Sequence, residues 1–401
     1  MSKIYLISAK RTAIGSFLGS LKDVHPAKLG AAVIKAIMDE NGLAADAPDE
    51  IIVGNILSAG LGQGIGRQTA VHGGISHEVP AYAVNQVCCS GMKAVMNAAT
   101  SIRAGFADLV ISGGVESMSQ APFITPGKIR AGNKLGDITS VDHIIHDSLT
   151  DAFEGYHMGI TAENVAEKYS ISREAQDAYA FESQKKAIAA VDAGYFKNEI
   201  VPMSVRTGKT ETVFEADEYP NRVTTPEKLA ALRPAFKKDG TVTPGNASGI
   251  NDGASMTLIA SENAVKKYNL TPIAEIVSFA QSGIEPAIMG LGPVKAVKKA
   301  LENASLSLKD IDLLELNEAF AAQALGVIHG LSDDHGLSHD DIKVKANISG
   351  GAIALGHPIG ASGNRIIVTL VHALIRNNLT YGVASLCAGG GMGTAVILKK
   401  C

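Results

Sequence analysis

Short apolar runs alternate along the chain with stretches whose apolar residues recur at helical spacing. Residues 4–9 read as a strand. Residues 26–41 read as a helix, with Pro26 at its start and Gly42 just past its end. A second strand covers 50–54 and stops at Gly54 and Asn55, and a helix over 88–104 leads into a buried strand over 107–113. Strands alternating with helices predict an α/β sheet.

The last third repeats that order. A strand is expected over 273–279, a helix over 293–303 that again opens on a proline, and a strand over 311–316 that ends at Asn317 as the earlier one ends at Asn55. A glycine-rich turn and helix follow at 347–376, and a strand over 381–387 runs into Gly389, Gly390 and Gly391. The repeated order reads as an internal duplication, although any α/β chain alternates strands and helices. Residues 119–250 differ from both repeats. They hold a long polar helical stretch over 162–193 and an irregular stretch over 201–245 with five prolines, which together read as an insertion on one face of the duplicated body. The expected division is an N-terminal half over 1–118, the insertion over 119–250, a return to the first half over 251–270, and a C-terminal half over 271–401.

Composition narrows the function classes. The net charge is -4, and no basic stripe supports a nucleic-acid partner. Two long uncharged stretches, 346–364 and 377–398, are broken by clustered glycines and do not read as membrane spans. Four cysteines without a C-x-x-C pair give neither a disulfide framework nor a zinc site. The expectation is a soluble cytoplasmic protein.

Four segments carry candidate chemistry. In Asn85-Gln86-Val87-Cys88-Cys89-Ser90-Gly91 an irregular stretch gives way to a helix. A cysteine there sits near the positive end of the helix dipole, which favours the nucleophilic thiolate. The competing reading is a pair of small buried residues. In Gly350-Gly351-Ala352-Ile353-Ala354-Leu355-Gly356-His357-Pro358 a histidine stands in a constrained, accessible backbone, where it could activate a nucleophile or stabilise an oxyanion. Cys387-Ala388-Gly389-Gly390-Gly391 ends a strand in a thiol and a run of backbone N–H groups. Asn317-Glu318-Ala319-Phe320 follows a strand end; Asn317 is either a polar site residue or an ordinary helix N-cap.

Taken together, these segments resemble the thiolase family along essentially the whole chain, in the family's order and spacing. The resemblance implies a five-layer α-β-α-β-α fold made of two duplicated halves, with the insertion as a loop domain. It implies Cys88, not Cys89, as the residue that accepts the acyl group. His357 would raise its reactivity, Cys387 would move the proton at the carbon acid, and Asn317 would hold a water in an oxyanion site. Backbone N–H groups of Cys88 and Gly389 would form the other oxyanion hole. Residues 149–159 resemble the short-chain branch, which acts on acetyl-CoA and acetoacetyl-CoA with release or uptake of CoA. In that branch Leu149, His157 and Met158 line the pantetheine and acyl pocket, Met158 and Met289 limit chain length, Ala235 and Ser248 touch pantetheine, and Phe236 lies toward the adenine. Ala319 and Phe320 belong to the same pocket. The resemblance implies no metal or prosthetic group, and a homotetramer with 119–147 as the tetramerisation loop.

Three positions depart from the family pattern. Asn221 stands where an arginine often meets the nucleotide, with Arg222 beside it; Pro244 replaces a small residue; and Cys89 is larger than the usual glycine or alanine. A ketoacyl synthase would carry two histidines with its cysteine, a cysteine hydrolase would not need Asn317 or Cys387, and a non-catalytic CoA-binding module would be expected to lose one of the three reactive residues.

Overall fold

The computed structural model describes residues 3–207 and 210–401. The first half runs β1 (Ile4–Arg11), α1 (Pro26–Glu40), β2 (Glu50–Gly54), α2 (Ile65–His72), β3 (Ala81–Val84), α3 (Ser90–Arg103) and β4 (Leu109–Ser117). The insertion contributes α4 (Met158–Tyr169) and α5 (Arg173–Asp192), and the chain returns with β5 (Asn251–Ser261). The second half runs β6 (Ala274–Gly283), α6 (Gly292–Ala304), β7 (Leu313–Leu316), α7 (Ala321–His335), α8 (Ile359–Arg376), β8 (Tyr381–Ala388) and β9 (Met392–Lys400).

The strands follow the order β7-β8-β9-β6-β1-β5-β4-β2-β3, with the short strand Gly15–Ser16 against β5. The two halves join where β1 meets β6 through Tyr5↔Glu275 and Leu6↔Ala274. Away from that seam they repeat. β5 lies antiparallel between β1 and β4 as β9 lies antiparallel between β6 and β8. β2 pairs parallel with β4 as β7 does with β8. The counterpart of β3 has shrunk to a single parallel bridge, Leu314↔Ala346. α3 and α8 pack on each other and on both half-sheets, α1 and α2 cover the outer face of one, and α6 covers the outer face of the other. The result is the expected five-layer α-β-α-β-α body. α8 is buried almost all round because it has a sheet on either side.

Some elements differ from the expectation. β5 was not anticipated as a strand, because Asn251, Asp252, Ser255 and Thr257 interrupt its apolar residues. All eleven of its residues are buried, and most of its polar side-chain atoms find local partners, Asp252 Oδ2 being the exception: Ser255 Oγ donates to Ala361 O at 2.8 Å and Thr257 Oγ1 to Ser112 O at 3.0 Å. The helical stretch 162–193 is two helices. Ser170 adopts φ 53°, and the Ser172 side chain caps the second helix by accepting from Ala175 N. The irregular stretch 201–245 contains a hairpin, Met203–Thr207 with Thr210–Phe214, and a short helix, Pro226–Ala230.

A buried ion pair ties the central layer to the second half-sheet. Arg365 of α8 lies 3.4 Å from Glu315 of β7, and both side chains are at most 3% exposed. Burial outweighs the arginine and pushes the Glu315 acid up to about 8. Arg365→Met leaves this carboxyl group without its counter-charge, and above about pH 8, where the group ionises in the native chain, it is expected to cost about 3–5 kcal/mol in urea unfolding. A raised acid in the fold binds protons that the unfolded chain has lost. Below about 8 that is true with or without the arginine, so the deficit should be small near pH 6 and widen as pH rises through about 8. Adding Glu315→Gln should recover most of it.

Candidate active site

Cys88 lies in the link between β3 and α3. Val87 takes φ 47°, held by its N–H to Asn85 Oδ1 at 2.9 Å. Ser90 Oγ closes the same turn, accepting from Gln86 N at 2.9 Å and donating to Val87 O at 2.6 Å. Cys88 is half-buried with its thiol enclosed, whereas Cys89 is fully buried and points its sulfur at Leu386 O. The expectation that the helix end favours thiolate is overturned. Burial pushes the Cys88 thiol up to about 11, against the backbone N–H groups of Cys88 and Gly389, which pull the other way. Cys88 therefore rests as a thiol, and ionising it would need a base.

His357 faces that need. Gly356 before it has φ 99°, and a Cβ there would stand 2.5 Å from the Asn251 carboxamide. Only glycine lets the chain pass this close, and Asn251 Oδ1 then accepts the His357 N–H at 2.9 Å. Burial, and then Arg365, pushes the imidazolium down to about 3, so the ring is neutral. Its Nδ1 lies 2.6 Å from Ser362 Oγ, whose one proton goes to Pro358 O at 2.9 Å. Ser362 therefore accepts from Nδ1–H, and Nε2 keeps its lone pair. Nε2 is buried and has no partner among the described residues.

The second half supplies two more groups. Cys387 ends β8 just before the glycine turn into β9. Burial and then the neighbouring Cys88 and Cys89 hold its thiol well above the ordinary range, which also shows that these thiols lie close together. Asn317 follows β7 and donates its N–H to Ser385 O at 3.0 Å. α7 begins four residues later, at Ala321, so Asn317 does not cap it. Both side-chain amide atoms of Asn317 are buried without a partner among the described residues. Buried polar atoms are seldom left unpaired, so Asn317 and His357 Nε2 mark a place built to receive polar atoms. No group of three or more metal-ligating side chains is found among the described residues.

The insertion closes over these groups. A Cβ on Gly389 would lie 3.5 Å from Met158 Sδ. Met158, Met289, Ala319, Phe320 and Cys387 share one apolar cluster, with Phe236 packed against it. His157 stacks on Phe236 at 4.5 Å, and Phe236 meets Phe320 edge-on at 6.2 Å. Leu149 and Cys88 pack on the same cluster of Ile56, Leu57, Met118, Ile144 and Ile359. Ser248 N–H donates to Ala319 O at 2.9 Å, and Ala235 N–H to Val242 O at 3.0 Å. Arg222 stands apart, in an exposed ion pair with Asp192 at 2.5 Å. A cavity of about 320 Å³ nearby is lined instead by Tyr219, Asn221, Lys228, Leu232 and Pro244. Sequence reading did not single out Asn251, Ser362 or Glu163, the last of which holds Thr241 N and Val242 N at 2.8 Å. Ser362 lies four residues past the His357-Pro358 segment, within the same glycine-rich stretch; nothing in the sequence pointed to the other two.

Comparison with known proteins agrees with this geometry. The family model described as Thiolase, N-terminal domain matches residues 4–263, and Thiolase, C-terminal domain matches 270–400. The acetyl-CoA acetyltransferase of Escherichia coli (strain K12) is 51% identical over 400 residues, covering all of both chains. The solved acetyl-CoA acetyltransferase of Syntrophomonas wolfei superposes with a TM-score of 0.96 at 39% identity over all of both chains. Human mitochondrial 3-ketoacyl-CoA thiolase in complex with CoA superposes with a TM-score of 0.94 at 44% identity, covering 100% of this chain and 98% of that one.

Proposed function

The chain belongs to the thiolase family, and from that premise we propose that it is an acetyl-CoA C-acetyltransferase, which reversibly condenses two acetyl-CoA into acetoacetyl-CoA and CoA. The observation that carries this reading is the pair of enclosed thiols, Cys88 and Cys387, with the Gly389 N–H beside Cys88; the buried, unpartnered His357 Nε2 and Asn317 amide are assigned to the same site by the family resemblance. His357 Nε2 takes the Cys88 proton, and the thiolate attacks the acetyl carbonyl. The backbone N–H groups of Cys88 and Gly389 face the oxyanion that develops. The departing CoA thiolate takes its proton from Cys387, leaving acetyl-Cys88, imidazolium and a Cys387 thiolate. That thiolate removes a methyl proton from the second acetyl-CoA. Its raised pKa helps, because it narrows the gap to a weak carbon acid. The enolate oxygen is held by His357 Nε2–H and a water on Asn317, and its carbon attacks acetyl-Cys88. Cys88 leaves as thiolate and takes the imidazolium proton from His357, acetoacetyl-CoA departs, and the net transfer is one methyl proton, through Cys387, to CoA. CoA is substrate and product, not a resident cofactor.

The proposal also includes the CoA contacts assigned to Leu149, His157, Met158, Ala235, Phe236, Ser248, Met289, Ala319 and Phe320. At the nucleotide end Asn221 and Lys228 replace Arg222, because they line the cavity and Arg222 does not. A cytoplasmic homotetramer completes the reading. It is supported by the exposed apolar side chains Phe123, Leu135 and Ile138 in the 119–147 segment, and by the absence of any described helix long and apolar enough to cross a membrane.

A broader 3-ketoacyl-CoA thiolase is the second reading, favoured by the 44% identity to the human enzyme of that name. Buried Met158 and Met289 beside Cys387 argue for the short substrate. CoA-dependent cleavage of acetoacetyl-CoA, measured beside a longer 3-ketoacyl-CoA, decides between them. A pocket misfit of one methylene is worth about 1–3 kcal/mol, so the longer substrate should lose at least about 100-fold in kcat/KM. Met289→Ala should recover part of that loss. Equal cleavage of both substrates would establish the broader enzyme, and cleavage of neither would sink the thiolase reading.

A further inference from the structure

Glu116, near the end of β4, is fully buried and takes no part in the steps above. Its carboxylate gathers four donors. Oε1 accepts from Asn55 Nδ2 at 2.8 Å and from Leu57 N–H at 3.3 Å. Oε2 accepts from Ile56 N–H at 3.1 Å and from Gly360 N–H at 3.0 Å. These donors come from two distant segments, the loop after β2 and the first turn of α8, which follows directly on His357 and Pro358. The apolar side chains of the same segments, Ile56, Leu57 and Ile359, form the cluster on which Cys88 packs. Glu116 is also within electrostatic reach of the Cys88 thiol, where its negative charge opposes the thiolate.

A buried carboxylate is a costly way to tie two loops together, since a neutral acceptor avoids the desolvation of a charge. Here burial, and then Asp252, pushes the Glu116 acid up to about 8 against the pull of its N–H donors. Asp252 is raised by burial too and accepts from Ser119 N–H at 2.9 Å. On the other side the titratable neighbours are Cys88 with Cys387 and Cys89 beside it. We propose that Glu116 is a positioning residue for acyl transfer: its four hydrogen bonds bolt the turn carrying His357 to the 55–57 loop beneath Cys88, and its charge, once formed, adds to the burial that already keeps Cys88 a thiol. The proposal rests on the reading of Cys88 as the nucleophile.

The test follows alkylation of Cys88 by iodoacetamide in the full chain between roughly pH 6 and 10, with the modified peptide mapped. In the native chain, ionisation of Glu116 near 8 holds back thiolate formation, so the rate should rise in two steps. Glu116→Gln, uncharged and of equal size, should give one step and run faster than the native chain above about pH 8. Its kcat for acetoacetyl-CoA cleavage should fall at least about tenfold, with KM held within about twofold. Glu116→Asp keeps the charge but shortens the reach, and should lose kcat while retaining two steps. A single step in the native chain overturns the proposal without any variant having to fold. A profile unchanged from the native one in a folded Gln variant overturns it as well. Two-step alkylation in a native chain that cleaves no acetoacetyl-CoA would leave the charge coupling standing and remove the thiolase reading.

Discussion

Cys88→Ala is expected to lower CoA-dependent cleavage of acetoacetyl-CoA by at least about 10⁴-fold, the scale on which a covalent nucleophile fails when its attacking atom is removed. No other group can take over its place. Cys89 is one residue away but fully buried, with its sulfur turned to Leu386 O and its thiol pushed up to about 12 by burial. Cys387 lies close by, but it ends a different strand and does not share the two backbone N–H groups that face the Cys88 thiol. Serine at 88 should do little better than alanine, because an enclosed thiol already near 11 is at the limit of what a neutral imidazole can deprotonate, and a hydroxyl is a weaker acid still. The substitution removes one half-buried sulfur and should leave the thermal midpoint within a few degrees. Intact-mass analysis after mixing with acetyl-CoA gives an independent reading: the native chain should carry one acetyl group and the variant none. Acetylation of the variant at Cys89, with activity within about tenfold of native, would reassign the nucleophile.

How much of this could be read from the residues depends on what kind of signal each feature leaves. Short runs such as 4–9 and 50–54, and helices punctuated by Pro26 or Pro293, were legible because backbone chemistry marks their ends. Two of the candidate residues left a backbone signal, His357 after Gly356 and Cys387 just ahead of the left-handed Gly390 and Gly391, whereas Cys88 and Asn317 were picked out by the resemblance of their segments. β5 was not legible, because a strand buried on both faces can carry polar residues once the neighbouring layer satisfies them. Nor was the break at Ser170, where the amphipathic pattern runs on but the backbone turns left-handed. The protonation states were misread for a single reason. The helix dipole at Cys88 is a local, sequence-visible effect, and desolvation by two packed layers is not. The partners that set the site come from far along the chain: Asn251 is 106 residues from His357, and Glu116 is 244 from Gly360.

Cys387→Ala should separate the two halves of the reaction. In the proposed mechanism acetyl transfer to Cys88 needs the thiolate, the neutral His357 and the N–H groups of Cys88 and Gly389, all of which the variant keeps. It loses only the proton that Cys387 gives to departing CoA, a role that solvent or the imidazolium can partly fill. Exchange of labelled CoA into acetyl-CoA should therefore fall by no more than about 10²-fold, the low end of what a general acid contributes. Carbon–carbon bond formation has no such substitute. The methyl proton must be removed inside an apolar cluster of Met158, Met289, Ala319 and Phe320, where water and buffer bases have poor access. His357 is already protonated at that stage and serves as the donor to the enolate. Condensation and cleavage should fall by at least about 10⁴-fold, together with exchange of the acetyl-CoA methyl hydrogens into heavy water. The side chain is 2% exposed, and its loss leaves a small cavity. Some drop in thermal midpoint is therefore expected, and the ratio of the two activities, not either alone, carries the argument. If both activities fall equally in a folded variant, Cys387 also serves acyl transfer. If methyl exchange survives, the carbon acid is deprotonated by another group, and His357 is the first to examine.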